Sequence, residues 1–369
     1  MGWEREALEK TLKKVSDNIE KIGFSYPHVS LEGAYNDEGP GVWTSGFWPG
    51  LLWLLYQETG EKKAKELAVE LEEGMDGVLD YFLTLHHDVG FMWLPSAVAH
   101  YREDGNETSR QRGLKAASHL AGRFNLAGRF LRAWNDEIEA GSQGWSIIDS
   151  MMNLPLLYWA SGELDDPRFF HIAKAHTDTV LRAFLRPDST VPHIVRFDPV
   201  TGEKLENLGG QGKGPDSAWS RGQSWALYGL AIAGRETGEQ IYKDAAKNIA
   251  NFVLSHLPED KVPWWDYKAE KEERSARDSS AAACAASGLL ELAGVLEEES
   301  DREFFREQAA AILKGLYENW ADFSGAEQGI LRQGTVSYPA GRHVNVPIIY
   351  GDYFFLEALI KLQRPLKVF

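Results

Sequence analysis

Leu54-Leu-Tyr-Gln-Glu-Thr-Gly-Glu61 (LLYQETGE) closes an apolar run at a glycine and reopens on an acid. The same device returns as Leu156-Leu-Tyr-Trp-Ala-Ser-Gly-Glu163 (LLYWASGE) and as Leu230-Ala-Ile-Ala-Gly-Arg-Glu-Thr-Gly-Glu239 (LAIAGRETGE). In each copy the glycine is predicted to end an apolar helix in the left-handed conformation a C-cap wants, and an acidic turn then opens an alanine-bearing amphipathic helix. A fourth copy, 290–300 running into 302–313, lacks the glycine, and a fifth runs from Tyr101-Arg-Glu-Asp-Gly-Asn106 into 108–124. The spacing is irregular, on the order of 45 to 75 residues, enough for two helices and a working loop.

Working outward, helical periodicity covers 4–20, 46–59, 62–83, 108–130, 147–161, 167–185, 220–236, 240–256, 279–297, 301–319 and 349–363, with little strand-like alternation. Between them lie loops rich in Gly, Pro, Trp and His at 24–45, 86–96, 132–146, 187–219, 258–278 and 321–348. Loops of this length in a compact fold are usually functional. Repeated helical hairpins either stack as an open solenoid or close into a ring. Here the aromatic loops follow alternate helices, so closure gathers them at one mouth. The expected fold is all-α, a closed α/α barrel of about six hairpins, in one domain over 1–369.

Composition narrows the class of protein. A chain with 43% hydrophobic and 12% aromatic residues has ample core material and is not disordered. Its apolar runs, such as 50–56, are too short to span a membrane. The N-terminal stretch 1–10 is charged and lacks the apolar middle of a signal peptide, so a cytoplasmic location is expected. The single cysteine, Cys284, excludes an internal disulfide and should pack as a small buried residue between helices. A net charge of −16 disfavours nucleic acid and anionic membrane as partners. A small acidic ligand would need a local group of arginine, histidine and backbone donors. A monomer or weak homo-oligomer is expected.

Two aspartates stand out. Met152, Asn153 and Leu156 fall three, four and seven positions after Asp149, which puts this acid on the apolar stripe of its helix. A carboxylate there must be paired, protonated or used; the alternative is a helix-start residue bonding nearby amides. Asp88 lies in Leu85-His-His-Asp-Val-Gly-Phe91, where it either caps a helix at 93–103 or handles protons. A metal is disfavoured, because adjacent residues of an extended chain point to opposite sides. No metal and no cofactor are expected.

The glycine-rich stretch 209–225 follows neither the P-loop nor the dinucleotide pattern. Asp216 or Ser217 is expected to cap the helix it opens, with Arg221 and Trp225 on one face. Arginine beside tryptophan suits a carboxylate-bearing sugar, the guanidinium gripping the acid and the indole stacking on the ring. Of thirteen tryptophans, Trp43, Trp48, Trp134, Trp219, Trp225, Trp264 and Trp265 mostly lie in or beside loops, as in a carbohydrate cleft.

At these residues the chain resembles a known family. His86-His-Asp-Val-Gly-Phe91, Ile147-Ile-Asp149 with Asn153 and Pro155, Trp219-Ser-Arg-Gly-Gln-Ser-Trp225, Trp265-Asp-Tyr267, Arg277-Asp-Ser-Ser-Ala281 and Gly351-Asp-Tyr-Phe354 resemble the unsaturated glucuronyl hydrolases, glycoside hydrolase family 88. The match runs from about Trp43 to Leu362 and implies an (α/α)6 barrel. It also implies a substrate class: unsaturated oligosaccharides left by polysaccharide lyases, of the chondroitin and hyaluronan disaccharide type. By resemblance the C4=C5 double bond of the terminal uronate is hydrated. Asp149 serves as general acid and then base, and Asp88 orients the ring. Such an acid needs a raised pKa, which an apolar face and a second carboxylate both provide. His193, Gln211, Ser217, Trp219, Arg221 and Trp225 are implied substrate contacts, with Trp43, His87 and Trp134 walling the pocket.

One departure concerns sulfated substrates. Members favouring them carry Ser-x-x-Ser-x-Lys, where this chain has Ser337-Tyr-Pro-Ala-Gly-Arg342; Arg342 could still bind a sulfate. The rival readings are an unsaturated rhamnogalacturonyl hydrolase on the same barrel, an inverting glycosidase with two carboxylates flanking the bond, and a non-catalytic helical scaffold.

Overall fold

Three helices, Ser220–Thr237, Ser279–Val295 and Ile349–Gln363, are buried on every face through most of their length. Helices with no solvent side must form an inner wall. In the computed structural model, which describes residues 2–136 and 139–369, they are joined by Phe47–Thr59, by Leu154–Leu164 and by a helical run from Val89 to Asp104. Each inner segment packs on the next, and Ile349–Gln363 returns against Phe47–Thr59 to close the ring.

Outside sit Trp3–Ile22, Lys62–Gly74, Glu107–Gly122, Pro167–Ala183, Gln240–His256 and Glu299–Asn319, each against its own inner partner. They are amphipathic as outer helices must be: Trp3–Ile22 buries Ala7, Leu8, Thr11, Lys14, Val15, Asn18 and Ile19, at intervals of one, three and four. The architecture is an (α/α)6 barrel, as expected. Small residues let the inner helices approach closely. A side chain on Gly288 would start 3.0 Å from the Tyr228 Cβ, and Cys284 is fully buried in the same contact. No helix among the described residues is long and apolar enough to cross a membrane.

The glycine caps hold in two of the three repeat copies. Gly60 and Gly238 take φ of 74° and 73° at the ends of their helices, and Gly105 does the same in the fifth copy at 75°. In the second copy the helix runs past Gly162 and ends at Asp165, which is itself left-handed at φ 51°. Aspartate tolerates this conformation because its short side chain bonds locally.

Other boundaries move for identifiable reasons. The predicted 108–130 helix stops at Gly122 and gives way to a hairpin pairing Phe124–Asn125 with Phe130–Leu131. The 62–83 segment breaks at Met75 into Lys62–Gly74 and Asp76–Tyr81. The predicted loop 86–96 is helical from Val89, because a π-turn over Leu94–Val98 absorbs Pro95 and its missing N–H. Two residues of the predicted 132–146 loop, 137 and 138, lie outside the described residues. The largest departure is a three-stranded antiparallel sheet of Trp145–Ile147, Ile194–Phe197 and Lys204–Leu208, formed largely from stretches expected to be loop.

Candidate active site

That small sheet decides where the acids stand. Ile147 pairs with Ile194, and the next amide, Ile148 N–H, donates to the His193 carbonyl at 3.0 Å. The chain then leaves the sheet in a 3-10 turn, Ile148–Met152, before the helix begins at Leu154. Asp149 therefore sits on a strand-to-helix turn and not on the stripe of a helix, and the register sets it beside His193. On the sheet's other side Ala133 N–H donates to the Trp145 carbonyl, and His87 N–H to the Ala133 carbonyl. This brings the His86-His87-Asp88 segment to the same place.

Asp88 precedes the helical run but does not cap it; its side chain accepts no amide of the first turn. Its Oδ1 accepts from Asn153 Nδ2 at 2.9 Å and lies 3.3 Å from His87 Nε2, while its Oδ2 lies 3.4 Å from His86 Nδ1. Burial pushes the Asp88 carboxyl well above the usual carboxylate range, and the negative charge of Asp149 adds to the rise. The Asn153 hydrogen bond and the Arg123 charge oppose it. Burial holds both histidines neutral, His86 falling to about 3 and His87 well below its ordinary value.

The expectation that adjacent histidines would point apart fails. The segment turns here, and one ligating atom from each of His86, His87 and Asp88 lies within 4.8 Å of the others. Within that cluster both ring nitrogens of His87 have no hydrogen-bond partner in the protein, and the Asp88 carboxyl accepts from the Asn153 amide.

Opposite, Asp149 Oδ2 lies 3.4 Å from His193 Nε2, yet neither atom has a hydrogen-bond partner in the protein. His193 Nδ1 accepts the Gln211 N–H at 2.9 Å, so the ring proton sits on Nε2, facing Asp149. The glycine loop that makes this bond cradles a ring, not a phosphate. Gly210 has φ 56°, and a Cβ there would fall 2.0 Å from His193 Nδ1. Asp266, wholly buried, holds the same loop by accepting from the amides of Lys213, Ala218 and Lys268. Behind Asp149 the His176 ring takes the Leu131 N–H on Nδ1 and meets Ser150 Oγ at 2.6 Å with Nε2; Ser150 Oγ donates to the Ile147 carbonyl. This braces the 3-10 turn from below.

The walls match expectation in part. Trp43, half-buried, packs on Phe47, Phe91 and Tyr350, and half-buried Trp134 stands edge-on to His193 at 6.2 Å. Trp219 lies against His193 on one side and the Arg221 guanidinium on the other, each 4.6 Å away. Ser217 Oγ is buried and unpartnered, and no side chain caps the helix that starts at Ser220, contrary to the cap expected from Asp216 or Ser217.

Two expected contacts, Arg221 and Trp225, are corrected. Arg221 does not offer a free fork to an acid: Nη1 donates to Asp278 and the Thr335 carbonyl, Nη2 to Gln211 Oε1 and the Val336 carbonyl. It positions Gln211 and Trp219 instead. Trp225 is wholly buried among Phe91, Tyr350 and Phe354, forming floor and not surface. Arg342 is exposed on the tight hairpin of 337–342, near enough for its charge to act on Tyr350, which also feels Asp149.

Asn153, Arg123, His176 and Asp266 carry roles that sequence reading did not assign. Arg123 donates to the carbonyls of Leu85, Arg132 and Ala133 and to Asn135 Oδ1, sewing the Asp88 segment to the Trp134 loop. Only Asn153 and Asp266 left a trace in the sequence, inside stretches quoted for other reasons.

A pair of buried acids among aromatic side chains on an (α/α)6 barrel suits acid–base work on a sugar, the chemistry of a glycoside hydrolase. A family model for Glycosyl Hydrolase Family 88 matches residues 16–364, and the chain belongs to that family. It is 36% identical to an unsaturated glucuronyl hydrolase of Bacillus sp. (strain GL1), over 98% of this chain and 97% of that one. It is 33% identical to an unsaturated chondroitin disaccharide hydrolase of Streptococcus agalactiae, over 99% of this chain and 92% of the other. The crystal structure of the Bacillus sp. GL1 unsaturated glucuronyl hydrolase superposes with a TM-score of 0.94, covering 98% of this chain and 97% of that one at 35% identity.

Proposed function

We propose that this chain removes the non-reducing 4,5-unsaturated glucuronate from lyase-generated oligosaccharides of the unsaturated chondroitin and hyaluronan disaccharide type by hydrating the C4=C5 bond. The observation that carries this reading is a set of buried polar atoms with no partner in the protein: Asp149 Oδ2, His193 Nε2, both ring nitrogens of His87 and Ser217 Oγ. Buried polar groups left unsatisfied are costly, so such a set in an aromatic-walled site is held for a polar ligand. Similar solved structures are named with dGlcA-bearing sugars, dGlcA-GalNAc6S on a mutant of the Streptococcus agalactiae enzyme and dGlcA-Glc-Rha-Glc on another, so the second sugar varies among them. They favour a glucuronyl over a rhamnogalacturonyl substrate.

In this mechanism the Asp149 carboxyl gives its proton to C4. Positive charge develops at C5 and is shared by the ring oxygen, beside the two acids. The Asp149 carboxylate then takes a proton from the water that bonds to C5, which restores the acid. The C5 hemiketal opens to a ketone, the former ring oxygen becomes a hydroxyl on C1, and C1 expels the second sugar as it becomes an aldehyde. One water is consumed. Asp88, His87 and Ser217 hydrogen-bond the ring and hold C4 against Asp149, and Trp43 and Trp134 wall the site so that only the reacting water need reach C5.

The order of events tests it. Nuclear magnetic resonance of a turnover in D2O is expected to show alkene loss, with deuterium on one face of C4, no later than release of the second sugar. Release of that sugar with the alkene intact would establish ordinary anomeric cleavage and overturn the reading.

A further inference from the structure

His86 takes no part in the reaction derived above, yet it closes a triangle with His87 and Asp88. Its Nδ1 lies 3.4 Å from Asp88 Oδ2, and His87 Nε2 lies 3.3 Å from Asp88 Oδ1. Neither contact is a hydrogen bond. His87 Nε2 has no partner in the protein, and His86 Nδ1 accepts the Asp88 N–H at 3.4 Å, so it presents a lone pair beside the carboxyl. Facing acceptors repel unless a positive centre lies between them. A shared proton would draw the heavy atoms to about 2.7–3.2 Å. A four-coordinate zinc with bonds of about 2.0–2.2 Å holds its ligands roughly 3.3–3.6 Å apart, which is the spacing of these contacts. Among the described residues, this is the only group of three such donors whose ligating atoms come within 4.8 Å of one another.

We propose that His86 Nδ1, His87 Nε2 and the Asp88 carboxylate form an inhibitory site for a divalent transition-metal ion of the zinc class, bound in competition with the sugar. Two imidazoles and one carboxylate are the donors such ions take, whereas magnesium and calcium want oxygen ligands. His87 and Asp88 are buried, while the His86 side chain keeps 16% of its surface exposed, which gives the ion a path inward. Asn153 Nδ2 donates to Asp88 Oδ1 at 2.9 Å, the kind of outer partner that orients a metal-binding carboxylate. The Asp88 N–H bond to His86 Nδ1 is long and therefore weak, so an ion displaces it at little cost. Three protein ligands leave a fourth position for water. In the mechanism above the sugar hydrogen-bonds His87 and Asp88, so ion and sugar exclude each other. That competition rests on the reading given under Proposed function; the binding of the ion does not.

Calorimetric titration of zinc chloride into the native chain is expected to show one ion per chain, and cobalt chloride to give the visible absorption of a low-coordinate cobalt centre. His86→Gln keeps much of the bulk and removes a ligand. It should weaken zinc by more than the about ten- to hundredfold that losing an outer partner costs. Asp88→Asn is the second variant, and decides alone should His86→Gln not fold. With unsaturated chondroitin disaccharide, zinc should raise KM at unchanged kcat, a chelator should restore the native rate, and magnesium at the same concentration should have no effect. His86→Gln, compared with its own metal-free rate, should lose this sensitivity. No stoichiometric binding by the native chain, or a zinc affinity equal to the native one in both variants, would overturn the proposal. Zinc inhibition that left KM fixed would overturn it as well. A native chain that binds zinc through these residues but consumes no alkene would instead overturn the underlying reading and leave the metal site standing, so the two failures are distinct.

Discussion

Gly210→Ala should disable the site through one methyl group. At φ 56° an alanine carries left-handed strain of about 1–2 kcal/mol. The clash is worse: the new Cβ lies 2.0 Å from His193 Nδ1 and 2.9 Å from Ile194 Cδ1, whereas atoms in contact need roughly 3.5 Å. Relief requires the loop and the ring to part by more than an ångström, which breaks the Gln211 N–H to His193 bond and leaves a part-buried donor unpaired. That adds about 1–3 kcal/mol. A displacement of this size at a reacting group costs on the order of a hundredfold in rate. The expected result is a kcat/KM about a hundred times lower, read from the initial loss of ultraviolet absorbance of an unsaturated disaccharide. Gly238→Ala is the control: its φ of 73° brings the same backbone strain, but nothing lies within 4 Å of the new Cβ, and it caps a helix away from the acids. It should lose stability and keep its rate. If Gly210→Ala turned over within about twofold of Gly238→Ala, the placement of His193 by this loop would be refuted.

Two further outcomes follow from the buried groups. His176→Phe removes the bond to Ser150 and strands the Leu131 N–H, so kcat should drop about tenfold or more with KM little changed, measured by the same absorbance. Stability should fall on acidification. Burial lowers His28, His86 and His176 to about 3, His119 to about 4, and His87 as well, so their contribution is present above about pH 6.5 and is lost as pH falls. Asp88 and Asp352, the latter raised to about 7, run the other way, their contribution being lost as pH rises. The five histidines outnumber the two carboxyls, so the net direction near pH 5 is loss of stability on acidification. Thermal midpoints should drop from pH 6.5 to pH 5, less steeply in His176→Phe; a flat profile would contradict the neutral burial of these rings.

The barrel was legible because its determinants are local. Leu54–Glu61 and Leu230–Glu239 carry both a hydrophobic period and the glycine that ends it, and the inner helices are too apolar to be anything else. The acids were legible for the same reason, as charges where charge is costly. Their surroundings were not. Strands of three to five residues have no readable period, and the pairing of Ile147 with Ile194 joins positions 47 apart in the chain. So Asp149 was assigned to a helix when a strand register places it. Arg221 was assigned a free fork because its acceptors, Asp278 and the carbonyls of Thr335 and Val336, come from segments far along the chain. Pro95 read as a helix breaker because a π-turn is invisible to pattern.

The central claim is that Asp149 supplies the proton that starts the reaction, and Asp149→Asn addresses it most directly, since the amide keeps the shape and the contacts of the turn. Calorimetric titration with unsaturated chondroitin disaccharide should show binding within about an order of magnitude of the native chain, while alkene loss falls by a thousandfold or more. Turnover within tenfold of the native rate in that variant would contradict the account.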